Sequence, residues 1–188
     1  MNFTLNVLGT ASALPTTERY PSAQVLDVRG RLFMIDCGEG AQIQMRKAGI
    51  SFLKIEHICL SHIHGDHIFG IFGLLSTMGL LGRSSQLNIY APSDFGPVLD
   101  FFKEKFGEGL LFDINFVPLQ MTSPELVYEN RTAELLAFPL NHRVPTANTV
   151  NTTEPLDNAD RVPVDIVVDQ IVTILQVLAF RNTVGCDQ

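Results

Sequence analysis

Residues 58–68 read ICLSHIHGDHI: an apolar run, then three histidines and an aspartate within six positions, then an apolar residue again. The spacing predicts a buried strand over Ile55 to Leu60, a polar loop, and a helix from Ile68 to Leu81, although Gly70, Gly73 and Gly79 weaken the helical reading. A strand that runs into polar residues and then a helix is the unit from which layered α/β domains are built. On an extended segment His62 and His64 project to the same side, since they lie two positions apart. Gly65 permits a sharp turn. Asp66 and His67 follow where the helix starts, offset from the first pair. Neutral imidazoles and a carboxylate suit zinc and also tolerate manganese or iron. A lone histidine is usually structural, and His57, isolated within the strand, reads that way. A cluster of four such groups in six residues does not.

Outward from this stretch the same alternation recurs. Phe3, Leu5 and Val7 alternate with polar residues as in a half-exposed strand. Ala23 to Val28 and Arg31 to Ile35 read as a hairpin turning at Arg29-Gly30. Asp36-Cys37-Gly38-Glu39-Gly40 closes it, and Gln42 to Lys47 fits a short helix. Gln86 to Ala91 reads as a strand, and Phe95 to Phe106 as a helix capped by Ser93 or Asp94. Leu111 to Leu119 and Glu134 to Leu140 read as further strands. Together they predict sheets covered by helices in one α/β domain over residues 1–145. Residues 146–188 form a divergent linker and an apolar tail. Within the tail, Val164, Val167, Val168, Ile171, Ile174, Leu175 and Leu178 follow helical spacing, while its many β-branched residues keep a strand open.

The bulk composition is that of a globular protein: 188 residues, 46% apolar and 18% charged. No apolar run is long and uncharged enough to span a bilayer. The N-terminus alternates like a strand and lacks the basic start of a signal peptide. Three widely spaced cysteines, Cys37, Cys59 and Cys186, make no disulfide framework. A reducing cytoplasm is therefore the expected compartment. The net charge of −7 argues mildly against a nucleic-acid substrate, although metal ions supply positive charge that a sequence count omits.

The pattern His62-x-His64-x-Asp66-His67 resembles the signature of the metallo-β-lactamase superfamily. More narrowly, LGTASALPT (8–16), FMIDCGEGAQIQMRKAGI (33–50), SHIHGDHIFGIFGLL (61–75), GLLGR (79–83) and FPLNHRVP (138–145) resemble the ribonuclease Z family, which trims the 3′ end of precursor tRNA. The resemblance implies an αββα sandwich, of which the first half to two thirds is present. It implies that His62, His64 and His142 bind one zinc and that Asp66 and His67 bind another. Asp66 would also be the catalytic base. Asp36, Gly38, Glu39 and Gly40 would shape and support the site, and Arg83 and Arg143 would face phosphate. Two metal ions would clamp an attacking water and a phosphate oxygen for in-line hydrolysis. Precursor tRNA as substrate and a homodimer as assembly are implied in the same way.

The resemblance stops just past Pro145. The family completes its site with a bridging aspartate and a further histidine, yet this sequence has no histidine after His142. Asp157, Asp160, Asp165 and Asp169 lie in settings unlike the family's. Three readings follow: a ribonuclease Z-type endoribonuclease, another hydrolase or phosphodiesterase of the same superfamily, and a truncated metal-binding fragment without turnover.

Overall fold

A computed structural model describes residues 3–14, 16–120, 122–131, 133–140 and 172–179. The main sheet has six strands in sequence order: β1 (Phe3–Gly9), β2 (Ala23–Val28), β3 (Arg31–Cys37), β4 (Ile55–Cys59), β5 (Leu87–Pro92) and β6 (Ile114–Leu119). The first three strands are antiparallel, and β3 to β6 are parallel. The β2–β3 hairpin is tight because Arg29 and Gly30 both adopt positive φ, 55° and 87°. Such turns match the twist of the flanking strands. Asp27 Oδ1 accepts the Gly30 N–H at 2.6 Å and fixes the turn.

Each parallel connection contains a helix: α1 (Ala41–Lys47) after β3, α2 (Gly65–Leu80) after β4 and α3 (Phe95–Phe106) after β5. All three pack on one face of the sheet. Ala41, Met45, Ile71, Leu74, Leu75, Met78, Phe95, Leu99 and Phe102 of the helices form one core with Val25, Met34, Ile58 and Ile89 of the strands. The other face carries a second core: Leu26, Val28, Phe33, Cys59, Tyr90 and Leu119 of the main sheet pack against Ala133, Leu135 and Ala137. Those three belong to a second sheet of order β7 (Glu125–Glu129), β8 (Ala133–Leu140) and β9 (Val172–Ala179). Layered in this way, the described residues supply three of the four layers of an αββα sandwich.

His57 is 2% exposed in the core between the sheets, as expected of a structural histidine. It stacks on Phe33 with ring centroids 4.7 Å apart and lies 3.2 Å through Nδ1 from the Tyr90 hydroxyl. Within the tail the helical alternative does not hold at 172–179. Those residues pair antiparallel with β8, from Ala133↔Ala179 to Leu140↔Val172. The ladder satisfies the backbone of β-branched Val172, Thr173, Ile174 and Val177, which helices accommodate less well. His142 and Arg143 lie outside the described residues, as do the rest of the tail and the boundary at 145–146.

Candidate functional site

The histidine motif occupies the carboxyl end of β4 and the first turn of α2. Open α/β sheets gather their ligands at this end of the strands. His64, extended at φ −68° and ψ 145°, is the last residue before the helix. Asp66 falls in the first turn, where the helix dipole favours a carboxylate. The rings converge: the His62 centroid is 4.5 Å from that of His64 and 3.9 Å from that of His67.

Asp36 organises this cluster from the end of β3. It is buried and adopts a positive φ of 55°, a conformation that aspartate tolerates better than most residues. Its Oδ2 accepts the His67 Nδ1–H at 2.7 Å and the Ser22 hydroxyl at 3.1 Å, and its Oδ1 accepts the Ser61 N–H at 2.8 Å. Ser61 Oγ lies 3.0 Å from His62 Nδ1 and 3.3 Å from His67 Nδ1, linking two of the three rings. Burial pulls the pKa of His67 down, but the hydrogen bond and charge of Asp36, with the charge of Asp66, leave it raised overall.

The contact between β3 and α2 depends on two glycines. A Cβ on Gly70 would stand 2.1 Å from the Gly38 carbonyl oxygen, and one on Gly38 would stand 2.4 Å from the Asp66 carbonyl oxygen. Only hydrogen fits at either position, and this close approach brings Asp36 within reach of His67. Gly40 instead precedes α1 with φ 78°, and a Cβ there would collide with the Tyr20 ring at 2.5 Å. Of the loop residues expected to support the site, Asp36 and Gly38 touch it directly, and Gly40 shapes the turn into α1.

The donor geometry bears on metal binding. With Nδ1 of His67 committed to Asp36, Nε2 is the nitrogen that faces Asp66, at 3.5 Å from its Oδ2. Two donors on one tetrahedral zinc with bonds of ~2.1 Å would stand about 3.4 Å apart. That spacing would let Asp66 and His67 share one ion, and the His62 and His64 rings lie beside each other with centroids 4.5 Å apart. Among the described residues no group of three or more His, Cys, Asp or Glu side chains is arranged to hold an ion. Any ion held there would need donors beyond those described.

Arg83 is placed elsewhere. It follows the far end of α2, about 24 Å along the helix axis from the histidines. It is 3% exposed. Its guanidinium donates to the carbonyl oxygens of Ser85, Leu53 and Gln86 and lies over the Phe112 ring. These bonds engage all three of its nitrogens, so it staples the loop after α2 to the core. Cys37 and Cys59 are buried free thiols, and burial pushes the pKa of each well above its usual value. Sequence reasoning gave no role to Ser22 or Ser61. Ser61 stands immediately before the histidines, and that adjacency is its one visible signal.

In sequence and in fold the chain is similar to known proteins. A family model described as Anti-Pycsar protein Apyc1 matches residues 3–100. The chain is similar to Ribonuclease Z of Bacteroides thetaiotaomicron, 44% identical over 147 residues that make up 76% of this chain and 45% of that protein. It spans about half the length of the curated relatives it matches. The crystal structure of human tRNase Z, short form, superposes with a TM-score of 0.68 at 30% identity, covering 75% of this chain and 61% of that one. The metallo-β-lactamase fold protein YhfI of Bacillus subtilis, 15% identical, has the same fold: its TM-score is 0.60, over 94% of this chain and 57% of that chain.

Proposed function

We propose that this chain, which belongs to the family described as Anti-Pycsar protein Apyc1 and shares its fold with tRNase Z and a metallo-β-lactamase fold protein, carries the ligand half of a metal-dependent phosphodiester hydrolase acting on the 3′ trailer of precursor tRNA. The observation that carries the reading is the Asp36–His67–Asp66 arrangement: a buried carboxylate fixes one ring nitrogen and turns the other towards a second carboxylate. Outer partners of this kind set the tautomer and orientation of a metal-ligating histidine.

His62 and His64, with His142, would hold one divalent ion, and Asp66 with His67 would hold another; zinc suits these donors, and manganese or iron could replace it. Bound there, such ions supply Lewis-acid polarisation and a water acidic enough to react near neutral pH. The chain's own residues do the rest. Asp36 keeps His67 Nε2 pointed into the site. Ser61 ties the His62 and His67 rings together. Asp66 accepts a proton at its carboxylate as the attacking water loses it. Arg143 would face a phosphate of the substrate. A homodimer and a cytoplasmic setting accompany the reading by family resemblance. Among the described residues no helix is long and apolar enough to cross a membrane.

The test is cleavage of precursor tRNA by the parent and by Asp66→Ala in the presence of zinc or manganese. Loss of cleavage in the variant alone supports the assignment, and equal cleavage by both sinks it. A second reading keeps the metal donors without the reaction. On that reading the chain binds metal without turnover. About one ion per chain and no cleavage by the parent would select it.

A further inference from the structure

The Ser61 hydroxyl sits between two of the histidine rings. The residue is anchored through its backbone, where the Ser61 N–H donates to Asp36 Oδ1 at 2.8 Å. From there Oγ lies 3.0 Å from His62 Nδ1 and 3.3 Å from His67 Nδ1. The proton on His67 Nδ1 is fixed by Asp36, whose ionised carboxylate at 2.7 Å can only accept. A protonated ring nitrogen has no lone pair to receive a hydroxyl proton. Ser61 Oγ therefore meets His67 as an acceptor, and its second lone pair faces His62. A neutral imidazole carries its proton on one nitrogen, and the hydrogen bond made there leaves the other nitrogen for a metal.

We propose that Ser61 is a positioning residue for His62: its Oγ accepts the His62 Nδ1–H as Asp36 accepts that of His67, so that both rings present an unprotonated Nε2 to one site. The direction of the bond rests on the metal-binding reading above, because a ligating nitrogen must be free of its proton. The geometry fits that direction. A serine oxygen offers two acceptor lone pairs, and two Nδ1 atoms stand within 3.3 Å of this one. One carboxylate then sets both rings. Asp36 holds His67 directly, and it holds His62 through the backbone and side chain of Ser61. The ring centroids of His62 and His67 are 3.9 Å apart, so turning one ring disturbs the other. What the position requires is a hydroxyl on a short side chain. Threonine supplies one at the same reach, and alanine supplies none.

The test uses the full chain with isotopically labelled histidine ring nitrogens. Long-range proton–nitrogen NMR spectra of the metal-free protein, at a mildly alkaline pH, read the tautomer of each ring. The His62 signals are assigned by their disappearance in His62→Gln. The parent is expected to hold His62 with its proton on Nδ1, the minor form of a free histidine side chain. Ser61→Thr should keep that form, and Ser61→Ala should return the ring to a mixture. Zinc affinity, read by competition with a chromophoric chelator, should fall about 10–100-fold in Ser61→Ala and stay near the parent value in Ser61→Thr. A parent with the His62 proton on Nε2 overturns the proposal, since Ser61 would then be donating. So does Ser61→Ala with unchanged tautomer and unchanged affinity. Equal losses in Ser61→Thr and Ser61→Ala would trace the effect to packing, not to the hydroxyl, and overturn it too. If Ser61→Ala does not fold, the parent and Ser61→Thr spectra decide. A parent that shows the expected tautomer and binds no zinc counts against the proposed function and leaves the role of Ser61 standing. Zinc binding with the other tautomer does the reverse.

Discussion

Asp36 is the residue on which the candidate site turns. Three donors converge on its carboxylate, from His67, Ser61 and Ser22. Asp36→Ala leaves the partly buried Ser61 N–H without its acceptor, which costs about 1–3 kcal/mol. A shift of the denaturation midpoint reads this. The same change frees the His67 ring, and loss of an outer partner typically weakens metal affinity about 10–100-fold. Asp36→Asn tolerates the positive φ and keeps part of the network, so it should fall between the parent and Asp36→Ala. Unchanged zinc affinity in Asp36→Ala would remove Asp36 from its supporting role. His57 makes a different, pH-dependent contribution. Burial first, then the Arg31 charge, lowers its pKa to about 4 from 6.5. The folded protein keeps His57 neutral while the unfolded chain protonates it. Its cost is absent above pH ~6.5, grows as pH falls below that value, and levels off near pH 4. Denaturation midpoints from pH 7.5 to 4.5 should fall less steeply for His57→Phe than for the parent. Parallel profiles would show that the ring is not held neutral.

At the scale of elements, α2 is a helix whose glycines would be a poor choice on propensity alone. The contacts supply the reason. Gly70 meets the Gly38 carbonyl, and a Cβ on Gly79 would stand 2.5 Å from the Gly109 carbonyl oxygen. Gly70→Ala forces α2 away from β3. Overpacking of this kind costs about 1–3 kcal/mol, and here it also pulls His67 from Asp36. A lower Tm together with weaker zinc binding is therefore expected; a lower Tm with unchanged binding would show that the site tolerates the displacement. Most elements were legible, because period and turn chemistry are local. The hairpin at Arg29-Gly30 and helix α3 stand where the pattern places them. β7 was not. Its five residues, ELVYE, begin and end with charge, and only pairing with β8 makes them a strand. β9 was ambiguous for a related reason. Its apolar positions fit a helical stripe, and the partner strand that decides otherwise lies more than thirty residues away along the chain.

For the whole molecule, the cluster of His62, His64, Asp66 and His67 was legible because four donors sit in six residues. Asp36 was legible only as a loop residue near the site, since its hold on His67 spans 31 positions and depends on the Gly38–Gly70 approach. The setting of Arg83 was not legible for the opposite reason: a charged residue in a matching motif says nothing of the carbonyls that fold around it. The donors arrive as two pairs on one turn of chain, and that arrangement governs how metal should affect the entire protein. An ion bound only by the folded state stabilises it by mass action, about 2.7 kcal/mol at a concentration 100 times Kd. A chain of this size gains about 2–4 °C in Tm per kcal/mol. Zinc should therefore raise the Tm by roughly 5–11 °C by these two estimates, and chelation should reverse the rise. The double variant His62→Ala/His64→Ala should lose most of the shift, and elemental analysis after dialysis should find correspondingly less zinc per chain. A Tm that ignores both zinc and chelator in the parent would mean that the converging imidazoles do not form a metal site in this chain.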